Sequence, residues 1–341
     1  MAAKLKAVRT DKELECPQID DGLRAMGYDL YLLPDNVSED ELVTVAADAD
    51  LLLMCYTPIT ARVINAASRL KGIVKYGVGI DAIDIEAAKA RKIPVVNIPE
   101  YAEETVAEGA FALMIALAKK LTAIDSAMQS EGWIWPTSPW LGSDIAGKTV
   151  GLVGCGKIGR SMARMAGTGF RAKVLGYDPH VDQAAMKTAD IEKHDDLSAM
   201  LSHCDFVSIH CVLNAHTHHL IGAAELAAMK PSAFLINVSR GAIVDETALV
   251  EALGNNSIAG AGLDVFSSEP LSRTNHPMSA LYTMDNVIAM PHLTFYTREA
   301  MQRLAHDTLA RCAEIMSGRP VLIKSDDPRL TAQSYGVRFP A

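Results

Sequence analysis

The sequence predicts an α/β protein of two parallel, doubly wound domains, one inserted in the other, and three observations carry that prediction. Short apolar runs alternate with segments of helical character through the first part of the chain, which is the rhythm of a parallel sheet. A glycine-rich turn between a strand and a helix comes only near the middle, although such a turn usually opens a domain. The 341 residues, 49% of them hydrophobic, are enough to bury two cores.

Taken in order, Leu5 to Val8, Tyr28 to Leu32, Leu51 to Met54, Ile73 to Tyr76 and Val95 to Ile98 read as strands, and the first domain pauses near Pro99. From Ala102 to about Gln129, Val106, Ala110, Phe111, Leu113, Met114, Leu117, Leu121 and Ile124 recur at helical spacing without proline. One helix on the order of 40 Å long is expected there. A loop with Trp133, Trp135 and Trp140 follows. The strand Val150 to Val153 then leads through Gly154, Gly156 and Gly159 into an amphipathic helix, and the strand Lys173 to Tyr177 ends on Asp178. Phe206 to His210, Ala233 to Val238, Gly260 to Val265 and Val287 to Met290 complete a set of six strands. A helix from about Arg298 to Ser317 and the run Val321 to Ile323 return to the first domain. The expected domains are 1–99 with 296–341, enclosing 100–295.

The central turn has the context of a dinucleotide-binding (Rossmann) unit. Gly154 permits the tight turn, Gly156 lets the backbone approach a pyrophosphate, and Gly159 lets the helix pack on the strand. Asp178 stands where a carboxylate accepts hydrogen bonds from ribose hydroxyls and repels a 2′-phosphate. No Arg or Lys follows within Pro179 to Gln183, so NAD is favoured over NADP.

A formal charge of −9 and the lack of a dense Lys/Arg cluster argue against nucleic acid as a partner. The N-terminal residues lack the apolar core of a secretory signal, and Gly109 to Ala118 is too short an apolar run to span a bilayer. A cytoplasmic protein without membrane contact is expected. Six cysteines are scattered without a CxxC pair, as reduced core thiols are. Cys155, inside the glycine turn, is a filler or an oxidation-sensitive thiol. His216, His218 and His219 crowd together, but no carboxylate or cysteine completes a zinc spacing, so no metal is expected and a polar loop is the reading.

Ligands of open parallel sheets bind outside the carboxyl ends of the strands. Three such ends carry Arg240, Glu269 and His292. Reduction of a 2-oxo acid by hydride needs a cation to hold the carboxylate and an acid to protonate the new alkoxide. Arg240 and His292 suit those roles, and Glu269 is placed to keep the imidazole protonated and oriented.

Nearly the whole chain resembles the D-isomer-specific 2-hydroxyacid dehydrogenases. KYGVGIDAID at 75–84, TVAEGAFALMIALAKK, GLVGCGKIG, MKPSAFLINVSRGAIVDETALVEAL, AGAGLDVFSSEP and MPHLTFYT carry the resemblance. It implies a Rossmann NAD-binding domain inserted into a flavodoxin-like substrate domain, a hinged cleft and a homodimer. It implies that the amides of Val78 and Gly79 bind the substrate carboxylate beside Arg240. Cofactor contacts are implied at Gly154, Gly156, Lys157, Ile158, Gly159, Asp178, Val238, Ser239, Asp264 and Val106. The substrate implied is a small 2-oxo or D-2-hydroxy acid such as glyoxylate, hydroxypyruvate or pyruvate. The alternatives are an activity of the 3-phosphoglycerate dehydrogenase type and an NADH-sensing, corepressor-like binding protein. Only Arg62 lies near the loop 53–60 to meet a phosphate. Leu293 to Tyr296 depart from the small residues usual after the histidine and are similar to the D-lactate dehydrogenase branch; they line a tighter pocket or pack an interface. Val212 stands where many relatives have proline. The tryptophan loop reads as dimer-interface packing or as a projection into a neighbouring subunit's cleft.

Overall fold

The computed structural model describes residues 5–340; Met1–Lys4 and Ala341, the ends of the expected outer domain, lie outside the described residues. The chain forms two compact units, one made of the segments up to Ala102 and from Thr297 onward, the other of Glu103–Tyr296. The sequence reading divides the chain after Pro99 and Phe295 instead, and local bonds account for the difference. The Tyr101 carbonyl accepts a hydrogen bond from Arg303 Nε at 2.8 Å, which ties it to the outer unit. Tyr296 N donates to Leu293 O at 2.9 Å, while Thr297 caps the next helix by accepting from Ala300 N at 3.2 Å.

In the outer unit β1 (Lys6–Arg9), β2 (Asp29–Leu32), β3 (Leu51–Met54), β4 (Gly72–Lys75) and β5 (Val95–Asn97) pair in parallel in the order β2-β1-β3-β4-β5. This is the flavodoxin-like order. Strands β3, β4 and β5 are buried at every position, and their apolar runs are continuous because helices cover both faces. The helix Arg298–Met316 belongs here: Ile315 fills the space where a Cβ at Gly72 would stand, 2.7 Å away.

In the inserted unit β6 (Thr149–Val153), β7 (Lys173–Tyr177), β8 (Glu192–Lys193), β9 (Phe206–Ile209), β10 (Phe234–Asn237), β11 (Gly260–Leu263) and β12 (Val287–Ala289) form a parallel sheet ordered β12-β11-β10-β9-β6-β7-β8. The order reverses between β6 and β9, as in a Rossmann fold. The strand beyond the expected six is β8. Two charged residues paired with Leu175 and Gly176 make no apolar run, so no pattern announces them. Alternate residues feed cores on opposite faces: Val207 and Leu235 join one with Leu249 and Leu263, Phe206 and Ile236 the other with Phe111 and Met114.

The single helix expected over 102–129 is broken. It runs Glu103–Ala118, about 24 Å at the usual rise, and restarts as Leu121–Glu131. At the break Lys120 is left-handed with φ 52°, and the Ala118 carbonyl accepts from Ser143 N at 2.7 Å. The returning loop is fastened by Lys119 to Asp144 and Lys120 to the Pro139 carbonyl, at 2.8 and 2.7 Å. Apolar spacing continues across this interruption, so periodicity does not reveal it.

The chain ends in the outer unit with β13 (Val321–Leu322) and β14 (Val337–Arg338), paired with each other. Between them Gln333 lies against the outer edge of β5: its Oε1 accepts from Val95 N and its Nε2 donates to Val95 O, both at 2.8 Å. Among the described residues no helix is long and apolar enough to cross a membrane.

Candidate active site

The chain leaves β6 through Gly154, Cys155 and Gly156 into the helix Lys157–Arg164. Gly154 has φ 98°, and a Cβ there would stand 2.4 Å from Cys211 N; one at Gly159 would stand 2.3 Å from the Gly154 carbonyl oxygen. Internal packing requires both glycines. At Gly156, the helix N-cap, a Cβ would meet no protein atom within 4 Å. Packing therefore gives no reason for glycine there, whereas close approach of a pyrophosphate does. Asp178 accepts from Cys155 N at 2.9 Å and from His180 N at 2.8 Å, which holds its carboxylate beside the turn. These residues fit a dinucleotide.

Around the turn, Ile158 and Val106 border one apolar core, and Lys157 Nζ pairs with Glu103 Oε1 at 3.1 Å. Burial, helped by the charge of Asp178, pushes the Cys155 thiol up to about 12. It packs the turn as an uncharged side chain. His210, counted above as the last residue of a strand, sits just past β9 against the same turn. Its Nε2 lies 2.9 Å from Ser208 Oγ, its Nδ1 is buried without a partner, and burial lowers the imidazole to about 4. Its place at a strand end was the available signal.

Arg240 follows β10. Asn237, 1% exposed, shapes this loop by donating to the Arg240 carbonyl at 2.9 Å and accepting from Ser239 N at 3.1 Å. Ser239 Oγ donates to Cys211 O at 3.0 Å, and Val238 is buried beneath. Gly241 lies so close to the Phe266 backbone that a Cβ would be 2.0 Å from its carbonyl carbon. That contact brings the loop of Arg240 onto the loop of Glu269.

Glu269 Oε1 accepts from Phe266 N, and Oε2 lies 2.9 Å from His292 Nδ1. The two side chains are 31% and 24% exposed, so the pair faces outward. Burial alone would raise the Glu269 carboxyl, but the hydrogen bond and charge of His292, the Phe266 amide and the charge of Arg240 outweigh it and hold the group below the usual carboxylate range. With Nδ1 bound to the carboxylate, Nε2 is the nitrogen that can pass a proton.

Asp264 is one of the expected cofactor contacts. It is completely buried, and it accepts from Leu293 N, Thr294 N and Thr294 Oγ1 at 2.8, 2.9 and 2.6 Å. Its carboxylate anchors the loop that carries His292, whose φ of 58° is rare outside glycine. Phe295 is buried edge-on to His292, with ring centres 6.2 Å apart, and Tyr296 is partly exposed.

In the outer unit Val78 and Gly79 follow β4 at the carboxyl edge of its sheet. The Val78 carbonyl accepts from Asn97 Nδ2 at 2.6 Å. The two groups of a trans peptide point opposite ways, so the Gly79 N–H faces away from Asn97. Among the described residues neither amide donates to a protein acceptor. Asp11 orders the neighbouring loop by accepting from Cys55 N, Tyr56 N and Thr57 N.

The remaining features lie outside these groups. His218 and His219 stack at 4.0 Å in an exposed turn, and Val212 is exposed. Trp133 and Trp135 are 67% and 73% exposed and meet edge to face.

Comparison with known proteins accords with this geometry. Residues 111–294 match the profile described as D-isomer specific 2-hydroxyacid dehydrogenase, NAD binding domain. A glyoxylate reductase of Korarchaeum cryptofilum is 36% identical over 313 residues, which are 90% of each chain. A D-3-phosphoglycerate dehydrogenase of Synechocystis is 35% identical over 92% of this chain, but the match spans only 56% of that longer protein. Among solved structures, the D-lactate dehydrogenase of Aquifex aeolicus complexed with NAD and lactic acid has a TM-score of 0.80 and 29% identity, covering 92% of this chain and 96% of the other. A dinucleotide turn, an arginine and a carboxylate-bound histidine at successive strand ends, and a relative matched over nine-tenths of its length lead to one assignment: the chain belongs to the D-isomer specific 2-hydroxyacid dehydrogenases.

Proposed function

We propose that the protein is an NAD-dependent reductase of a small 2-oxo acid, forming the D-2-hydroxy acid, and that Arg240, Glu269 and His292 carry the reaction. The observation that supports this reading most is the 2.9 Å bond between His292 Nδ1 and Glu269 Oε2. Bound NADH supplies the hydride. Arg240 holds the substrate carboxylate and polarises the carbonyl, and the Val78 and Gly79 amides are donors suited to a carboxylate. His292 Nε2 delivers the proton to the developing alkoxide, while Glu269 fixes the ring and favours the imidazolium. Gly154, Gly156, Lys157, Ile158, Gly159, Val238, Ser239 and Val106 surround the dinucleotide, and Asp178 selects the unphosphorylated ribose. The outer unit serves as the substrate domain.

Arg62 is committed to Glu39 and Asp40 at 3.1 and 2.5 Å, which leaves it ill suited to hold a substrate phosphate. The exposed Leu121, Trp133, Trp135 and Leu141 are apolar side chains of the kind a second copy would cover, which supports a homodimer as the working form, and the cytoplasm is its proposed location.

The test is NADH oxidation against glyoxylate, hydroxypyruvate, pyruvate, phenylpyruvate and 3-phosphohydroxypyruvate, repeated with NADPH. Turnover of one or two unphosphorylated acids with NADH is expected. Preference for the phosphorylated acid would replace the substrate, and tight NADH binding without turnover would favour a sensor.

A further inference from the structure

Lys75 ends β4 and is only 5% exposed. Its Nζ donates to the Cys55 carbonyl, lies 3.3 Å from Cys55 Sγ and stands 5.4 Å from the centre of the Tyr56 ring. Among the described residues no carboxylate pairs with it. The other buried base of this edge, Arg9, is held by both oxygens of Asp20 at 2.7 and 3.1 Å. Asp11, the acid of the adjoining loop, is occupied by the Cys55, Tyr56 and Thr57 amides and by the hydroxyls of Thr10 and Thr57. A buried ammonium without a counter-charge is costly, and a bound anion would supply one.

The position of the charge identifies that ligand. A Cβ at Gly77 would stand 3.2 Å from Lys75 Nζ, so the charge lies directly against the turn that carries Val78 and Gly79. Amide N–H groups alone separate a carboxylate from a neutral ester carbonyl poorly, because both accept hydrogen bonds. A fixed positive charge in low dielectric attracts the anion and does little for the ester.

We propose that Lys75 is a positioning residue whose buried charge, set behind the Val78–Gly79 amides, makes this edge selective for a carboxylate over a neutral group. The inference rests on the reading that these amides hold the substrate acid. Lys75 acts from beneath the turn and does not touch the substrate.

The experiment compares kcat/KM for a turned-over 2-oxo acid and for its methyl ester in the wild type, Lys75→Met and Lys75→Arg. In Lys75→Met the acid-to-ester ratio should fall on the order of tenfold, through KM for the acid with kcat little changed. Lys75→Arg should keep the ratio, and Tm of Lys75→Met should not drop, since an unpaired buried charge is removed. Equal loss on acid and ester would show that Lys75 only fastens two loops, and an unchanged ratio would show that its charge is irrelevant; either overturns the proposal. If Lys75→Met does not fold, Lys75→Gln takes its place in the same comparison. A wild type active on acids with an unaltered variant ratio defeats this inference alone, whereas a wild type silent on every acid defeats the underlying reading as well.

Discussion

The carboxyl edges of the two sheets share a parallel, doubly wound design and use their charges in opposite ways. At the edge of the outer unit Arg9 is 1% exposed, and its guanidinium donates to Asp20, to Tyr76 Oη and to the carbonyls of Asp11 and Leu14. Asp11 is likewise consumed in ordering the loop at Cys55 to Thr57. What this edge offers outward is main chain. At the edge of the inserted unit Arg240, Glu269 and His292 remain partly open, while Asn237, the Phe266 amide and Asp264 hold their loops from below. Lys75 apart, one edge commits its ionised side chains to shape, and the other leaves them partly open for the chemistry proposed.

The contrast is sharpest at His292. His292→Ala should lower kcat for reduction by about 10²–10⁴, with NADH affinity and Tm nearly unchanged; a large drop in Tm would mean that the ring is structural. Arg9→Met, the matching change at the other edge, strands Asp20 in a buried site. It should cost about 3–5 kcal/mol of stability in denaturant titrations, while each folded molecule keeps its turnover. A lowered kcat in fully folded Arg9→Met would erase the distinction between the edges. The smallest effect is expected from Glu269→Gln, on the order of tenfold to a hundredfold in kcat. The sign with pH is fixed by the pair. The Glu269 carboxyl is held below its ordinary range by His292 and Arg240 despite burial, so it is ionised at neutral pH and favours the imidazolium. Without that charge, reduction should begin to fail at lower pH as pH rises. A pH–rate profile with its alkaline limb unmoved would separate Glu269 from the proton transfer.

Local spacing made most of this legible. Alternating apolar runs revealed the two sheets, and the strand ends gave Arg240, Glu269 and His292 because a parallel sheet collects such ends on one side. Features that depend on contacts distant in sequence were hidden. The break at Lys120 is made by Ser143 reaching the Ala118 carbonyl, and β8 exists only through its pairing with β7. Asp264 reads as a cofactor contact, and only the fold shows Leu293 and Thr294 donating to it. Lys75 in the sequence is one more lysine before a glycine turn, and only the fold sets it against Cys55 and withholds a carboxylate.

Gln333 has a consequence of a different order. A sheet whose last strand shows bare main chain invites a foreign strand to add on and start a growing stack. Here one carboxamide presents the donor and acceptor of a neighbouring peptide to Val95 and ends the pattern after a single residue. The side chain acts as a counterfeit strand, one link long, that cannot be extended, and it leaves an incoming strand neither the donor nor the acceptor of Val95 to pair with.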